Sequence, residues 1–167
     1  MEDIFYTDNS KKFSKKLEPG QCMGMSCDWA VVTLKLPTVH LGALNSGKWD
    51  IGQSAYEMGQ SQTDQKIIEA FGLDVESEVH QGVANGAAVA AQLLSLGQGV
   101  YVWGVVDNGG HAMGYQRTAD GYEFFDPNYG LQRATGSDAL RDEVVDRMDN
   151  YYSDLLGTID IYKVKLP

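Results

Sequence analysis

The chain has 167 residues, 43% of them apolar and 22% charged, which suits one globular domain with a core of its own. It nowhere runs to 18 consecutive apolar residues, so no membrane span is expected. The formal net charge of −10 argues against sequence-independent nucleic-acid binding, which rests on Lys and Arg, and suits either simple solubility or an encounter with basic partners.

Residues 1–18 are polar, lack the apolar core and cleavage site of a Sec signal, and read as a flexible leader ahead of a domain at 19–167. A helix is expected from near Gly20 or Gln21. Pro19 suits its start, Met25, Trp29, Val32 and Leu36 recur at helical spacing, and Pro37 stops it. The turn-rich stretch TVHLGALNSGKWDIGQS reads as loop. Within it, Gly42 to Trp49 fits the front of a phosphate loop, but Trp49 stands where a magnesium-holding Ser or Thr is needed, so a surface loop is expected. DQKIIEAFG reads as a short helix ended by Gly72, and ANGAAVAAQLLSLG as an Ala/Leu helix ended by Gly97.

The character then changes. GVYVWGVV, HAMGYQRT and YEFFD are separated by the turns DNGG and ADG, and predict a three-strand antiparallel meander. SDALRDEVVDRMDNYYSDLLG reads as a helix with Ser137 as its cap, and TIDIYKVKL alternates as a final strand. Helices first and strands later predict an α+β fold with an antiparallel sheet.

The two cysteines lie in GQCMGMSCDWA. On a helix, Cys22 and Cys27 sit about 140° apart around the axis and roughly 7.5 Å apart along it, which forbids a bridge between them. A zinc site with His40 or His80 is disfavoured, because C-x4-C has no second tight pair beside it. No metal or other cofactor is expected. Cys22 falls in the first helical turn, where exposed N–H groups and the helix dipole favour a thiolate. Cys27 faces away and reads as an inert core thiol.

A thiolate nucleophile needs a base, and the base needs an orienting partner. Of the three histidines, His40 sits in the loop and His80 precedes the Ala-rich helix, where capping or exposure is the plain expectation. His111 opens a strand whose hairpin partner ends in FFDPN. If the hairpin places Asn128 or Gly130 opposite His111, Asp126 shares its sheet face; a three-residue loop would put the two on opposite faces.

The segments GQCMGMSCDWA, GHAMGY and FFDPNYG together resemble the YopT/AvrPphB-type papain-like cysteine peptidases, virulence factors that bacteria inject into host cells. The family's Cys block maps on Gly20, Cys22, Gly24, Met25, Ser26 and Trp29. Its His block maps on Gly110 to Gly114 and its Asp block on Phe124 to Gly130, in the family's order.

The resemblance implies a papain-like fold with a Cys22–His111–Asp126 triad. It also implies a monomeric endopeptidase, exported by a non-Sec route, that cleaves a host protein in the host cytoplasm through an acyl-thioester. A substrate with a basic segment fits both the charge and the family. A protein glutamine deamidase with the same triad, and a catalytically silent binding module, are the alternatives. The family's polar oxyanion residue, a few positions before the nucleophile, has no amide counterpart at Lys16 to Glu18; Gln21 is the nearest substitute and Asn9 a remoter one. The segment upstream of the Cys block is short, as in the catalytic part of a longer protein.

Overall fold

The computed structural model describes residues 1–5, 22–36, 64–107 and 109–167. Among them, the helix predicted behind the Pro-Gly pair is α1 (Cys22–Lys35). Gly20, Gln21, Pro37, the long loop with His40, and Gly42 to Trp49 lie outside the described residues. DQKIIEA forms α2 (Asp64–Ala70), and the chain leaves it through Gly72 at φ +83°, the left-handed conformation that a side chain resists.

Strand β2 (Asp74–Gly82) follows, then α3 (Gly86–Leu94). Asn85 caps α3, its side chain accepting from the Ala88 N–H at 2.9 Å. This helix stops before the expected Gly97. Ser95 returns its hydroxyl to the Gln92 carbonyl at 2.7 Å, and Arg117 bonds the Leu96 carbonyl at 2.7 Å, so the last carbonyls are satisfied without a glycine.

The meander is β3 (Gly99–Asp107), β4 (Gly109–Arg117) and β5 (Tyr122–Asp126). A short β6 (Gly130–Ala134) extends it, α4 (Ser137–Tyr151) and a 3-10 turn (Ser153–Leu155) follow, and β7 (Thr158–Lys165) closes the chain. With β1 (Glu2–Phe5) the strands form one antiparallel sheet in the order β1-β6-β5-β4-β3-β7-β2.

Three expectations are corrected. The leader is not loose throughout, because Glu2–Phe5 adds to the sheet edge against β6; residues 6–18 are outside the described part. The order of helices first and strands later is not kept, because DVESEVHQG, for which no element was expected, is strand β2, ahead of α3. This strand forms as the opposite edge, paired to β7 from Asp74↔Lys165 to Gly82↔Thr158, and its charges suit an edge that faces water. Ser137 is the first residue of α4 rather than its cap. Gly136 takes the cap position, and no side chain bonds there.

The sheet buries both faces. α1 and α2 cover one with Met25, Trp29, Ile67 and Ile68, against Val102 and Phe125. α3 and α4 cover the other with Val89, Leu93, Leu140 and Val144, against Trp103 and Phe124. Adjacent Phe124 and Phe125 therefore point to opposite cores, as the two-residue period of a strand requires.

One contact seats α1. The Trp29 ring stacks on Phe125, centroids 5.7 Å apart and planes within 4°. It lies flat on Gly114, where an added Cβ would stand 2.3 Å from Trp29 Cε3. Cys22 is seven residues, two turns, before Trp29 and so shares its side of the helix. The rise over those residues, about 10.5 Å, matches the roughly 10 Å that separates Gly114 from His111 along β4. Docking Trp29 on Gly114 thereby delivers Cys22 to His111.

Candidate active site

The β4–β5 hairpin sets the geometry. Arg117 pairs with Tyr122 and Gly114 with Phe125, so the loop is the four residues Thr118–Gly121. This is the even register: continued past the ladder it puts Asn128 across from His111, and His111 and Asp126 share the face that carries Met113 and Phe124. The ladder stops at Gly114↔Phe125. Beyond it the Ala112 N–H donates to the Cys22 sulfur, which approaches from the α1 side.

His111 Nε2 lies 2.8 Å from Asp126 Oδ1. Cys22 is hydrogen-bonded to the His111 side chain. An imidazole has only two nitrogens, so with Nε2 committed to Asp126 the bond to sulfur uses Nδ1. The site is closed: Cys22 is 7% exposed, His111 6% and Asp126 0%.

The electrostatics follow from burial and partners. Burial pushes the Cys22 thiol up, but the His111 hydrogen bond and charge, with the Ala112 and Met23 N–H groups, bring it below its ordinary value. Burial pulls His111 down, yet Asp126 and the Cys22 sulfur together raise it to about 9. Burial also opposes ionisation of Asp126, and His111, Tyr152 and Arg147 more than offset it, so its carboxyl is held below the usual range. These shifts all act in the direction of a thiolate–imidazolium pair beside an ionised Asp126.

Asp126 is tied on every side. Its Oδ1 also accepts from the Asn128 N–H at 3.0 Å. Its Oδ2 accepts from Arg147 Nη1 at 2.8 Å and from the Tyr152 hydroxyl at 2.7 Å. Asn128 Nδ2 donates to the same hydroxyl at 2.9 Å. The Tyr152 ring stacks on the imidazole, 4.5 Å between centroids. A buried carboxylate left unpaired would be strongly destabilising; here two cations and two further donors share it.

Arg147 and Tyr152 were not anticipated from the sequence. Arg147 had a legible signal: it falls on the apolar stripe of α4 with Leu140, Val144 and Met148, where a solvated arginine does not belong. Tyr152 had none, because Tyr151 beside it is exposed and only the fold separates them.

The other expected residues fall outside this cluster. Gln21 and Asn9, considered for the oxyanion, and His40 lie outside the described residues. His80 stands on β2, half exposed, with Nδ1 2.6 Å from Asp160 Oδ1. Cys27 is fully buried in the α1 core, and the two thiols form no disulfide with each other. Among the described residues no group of three or more His, Cys, Asp or Glu side chains is arranged to hold a metal ion.

Compared with solved structures, the chain is similar to the Pseudomonas avirulence protein AvrPphB, with a TM-score of 0.71 at 14% identity over 95% of this chain and 98% of that one. It also matches PatoxP, a cysteine protease-like domain of the Photorhabdus asymbiotica toxin PaTox, with a TM-score of 0.48 at 15% identity over 96% of this chain and 52% of that one. No family model and no curated protein matches the sequence. The fold is α+β and of the papain-like cysteine protease kind.

Proposed function

We propose that the chain is a cysteine endopeptidase that cleaves a protein of a host cell. The observation that carries this reading is the continuous hydrogen-bonded chain from Cys22 through His111 to Asp126, begun at a helix N-terminus. In the reaction the Cys22 thiolate attacks the scissile carbonyl carbon, and its electron pair moves onto oxygen. The oxyanion collapses as the His111 imidazolium gives its proton to the leaving amine, and an acyl-thioester remains on Cys22. His111, now neutral, takes a proton from water as the water attacks the thioester. The carboxylic acid leaves and the thiolate–imidazolium pair returns. Asp126 keeps the ring oriented and compensates its charge throughout.

The pH dependence follows from the same pair. Activity rises as Cys22 ionises, below the ordinary thiol range. It falls as His111 loses its proton near about 9, because a neutral imidazole cannot protonate the leaving amine.

On this reading the chain is an injected virulence factor, exported by a non-Sec route and active as a monomer in the host cytoplasm; likeness to an avirulence protein supports the virulence role alone. The net charge of −10 suits a substrate with a basic segment, and such attraction weakens beyond a Debye length of about 8–10 Å. The test is mass spectrometry of host lysate proteins after incubation with wild type or Cys22→Ala. New termini that need Cys22, formed more slowly as salt rises to physiological levels, are expected. A gain of about one dalton at glutamine would instead assign a deamidase, the alternative with the same triad. No Cys22-dependent product would assign a silent binding module.

A further inference from the structure

Asp126 lies between two cations. One oxygen faces His111 and the other faces Arg147, both at 2.8 Å. Arg147 is itself divided: Nη1 serves Asp126, while Nη2 bonds Glu143 Oε1 at 2.8 Å and Gln132 Oε1 at 3.1 Å. Its plane is held by the Tyr129 ring, 4.2 Å from the guanidinium carbon, and by Phe124 at 5.4 Å. Glu143 sits one turn earlier on α4 with its side chain 25% exposed, whereas Arg147 is 6% exposed. The series Glu143, Arg147, Asp126, His111, Cys22 thus alternates in charge from near the surface of α4 to the thiol.

We propose that Arg147 is a positioning residue that tunes the Cys22–His111 pair through Asp126, and that Glu143 sets how much of the Arg147 charge reaches that pair. Carboxylate orientation alone would need only a neutral donor at this place, and Tyr152 already supplies one to the same oxygen. A guanidinium adds charge. It offsets part of the Asp126 charge that the imidazole would otherwise feel, which limits how tightly His111 holds its proton. It also contributes positive potential at the thiolate. Among the described residues, the charged and titratable groups that bear on the pair are Cys22 from α1, Asp126 from β5, Tyr129 after β5, Tyr152 after α4, and Arg147 with Glu143 on α4.

The signs are opposite for the two ends. Arg147→Gln removes the cation but keeps a donor for Asp126. Without the cation the Cys22 thiolate is less favoured, so the thiol titrates higher. The imidazolium faces a less compensated Asp126, so His111 titrates higher too. Glu143→Gln frees the Arg147 charge, and both groups titrate lower. Arg147→Lys keeps the charge and should leave both near wild type.

The proposal rests on reading Cys22 and His111 as the reacting pair, but its test measures titration and not turnover, so the two can fail separately. The His111 midpoint is followed by NMR of nitrogen-15-labelled histidine, and the Cys22 midpoint by the pH dependence of iodoacetamide alkylation, in the full chain. Arg147→Gln is expected to raise both midpoints by about one pH unit. Glu143→Gln is expected to lower both by about half that, because water screens the partly exposed site. Midpoints unmoved in folded Arg147→Gln, or moved equally in Arg147→Lys, would show that Arg147 only packs. If Arg147→Gln does not fold, Glu143→Gln decides alone: a downward shift supports the charge series and no shift, or an upward one, overturns it.

Discussion

Cys22→Ala and His111→Ala are each expected to lower turnover by about 10⁴-fold or more, close to the loss from removing both, because nucleophile and base act as a unit. Neither should unfold the domain, since Cys22 ends a helix seated by Trp29 and His111 lies at the sheet end. Asp126→Asn is expected to cost about 10²–10⁴-fold, through loss of charge and of ring orientation. Its stability must be measured beside its activity. Removing the Asp126 charge leaves Arg147 buried with Glu143 as its remaining anion, and breaking a buried pair costs about 3–5 kcal/mol. Steady-state rates with circular dichroism on each variant check these outcomes. Full activity in folded His111→Ala, with loss in His80→Ala, would move the base to β2 and refute the hairpin argument.

Trp29→Ala should be the most damaging single change outside the site. The ring is 3% exposed, stacks on Phe125 and fills the place that Gly114 leaves open. Truncating such a residue costs about 3–5 kcal/mol. Because the same contact delivers Cys22 to His111, the variant should lose turnover even where it remains folded. Gly114→Ala tests the interface from the other side, since its Cβ would meet the indole at 2.3 Å, too close without a shift of α1. Urea unfolding of the two variants, with activity measured under native conditions, separates loss of stability from misplacement of the thiol. A cost below about 1 kcal/mol for Trp29→Ala would contradict this account of α1 docking.

The same three residues explain what could be read from sequence alone. Trp29, Gly114 and Phe125 belong one each to the Cys, His and Asp segments, and they meet in one packing contact. Motif residues outside the candidate site thus place those within it, which is why the segments carried both fold and candidate site. The meander and the last strand were legible because their apolar periods are strong. β2 was not, because an edge strand needs little apolar surface and its Asp and Glu residues face water. β1 and β6 were too short to show a period. The shared face of His111 and Asp126 depended on loop parity, which Thr118–Gly121 resolves as even. Arg147 and Tyr152 reach Asp126 from 21 and 26 residues away, a distance that no local pattern spans.

The central claim is that Cys22 exists as a thiolate paired with His111 at neutral pH. Its most direct test is the rate of iodoacetamide alkylation at Cys22 and Cys27 as a function of pH, in wild type and His111→Ala, read by peptide mass spectrometry. Cys22 is expected to react fast at neutral pH, with a midpoint below that of an ordinary thiol, and to return to an ordinary or higher midpoint without the imidazole. Cys27, at 0% exposure, should label only on unfolding. Equal rates at the two thiols in the folded protein, or a Cys22 midpoint that does not respond to His111→Ala, would contradict the claim.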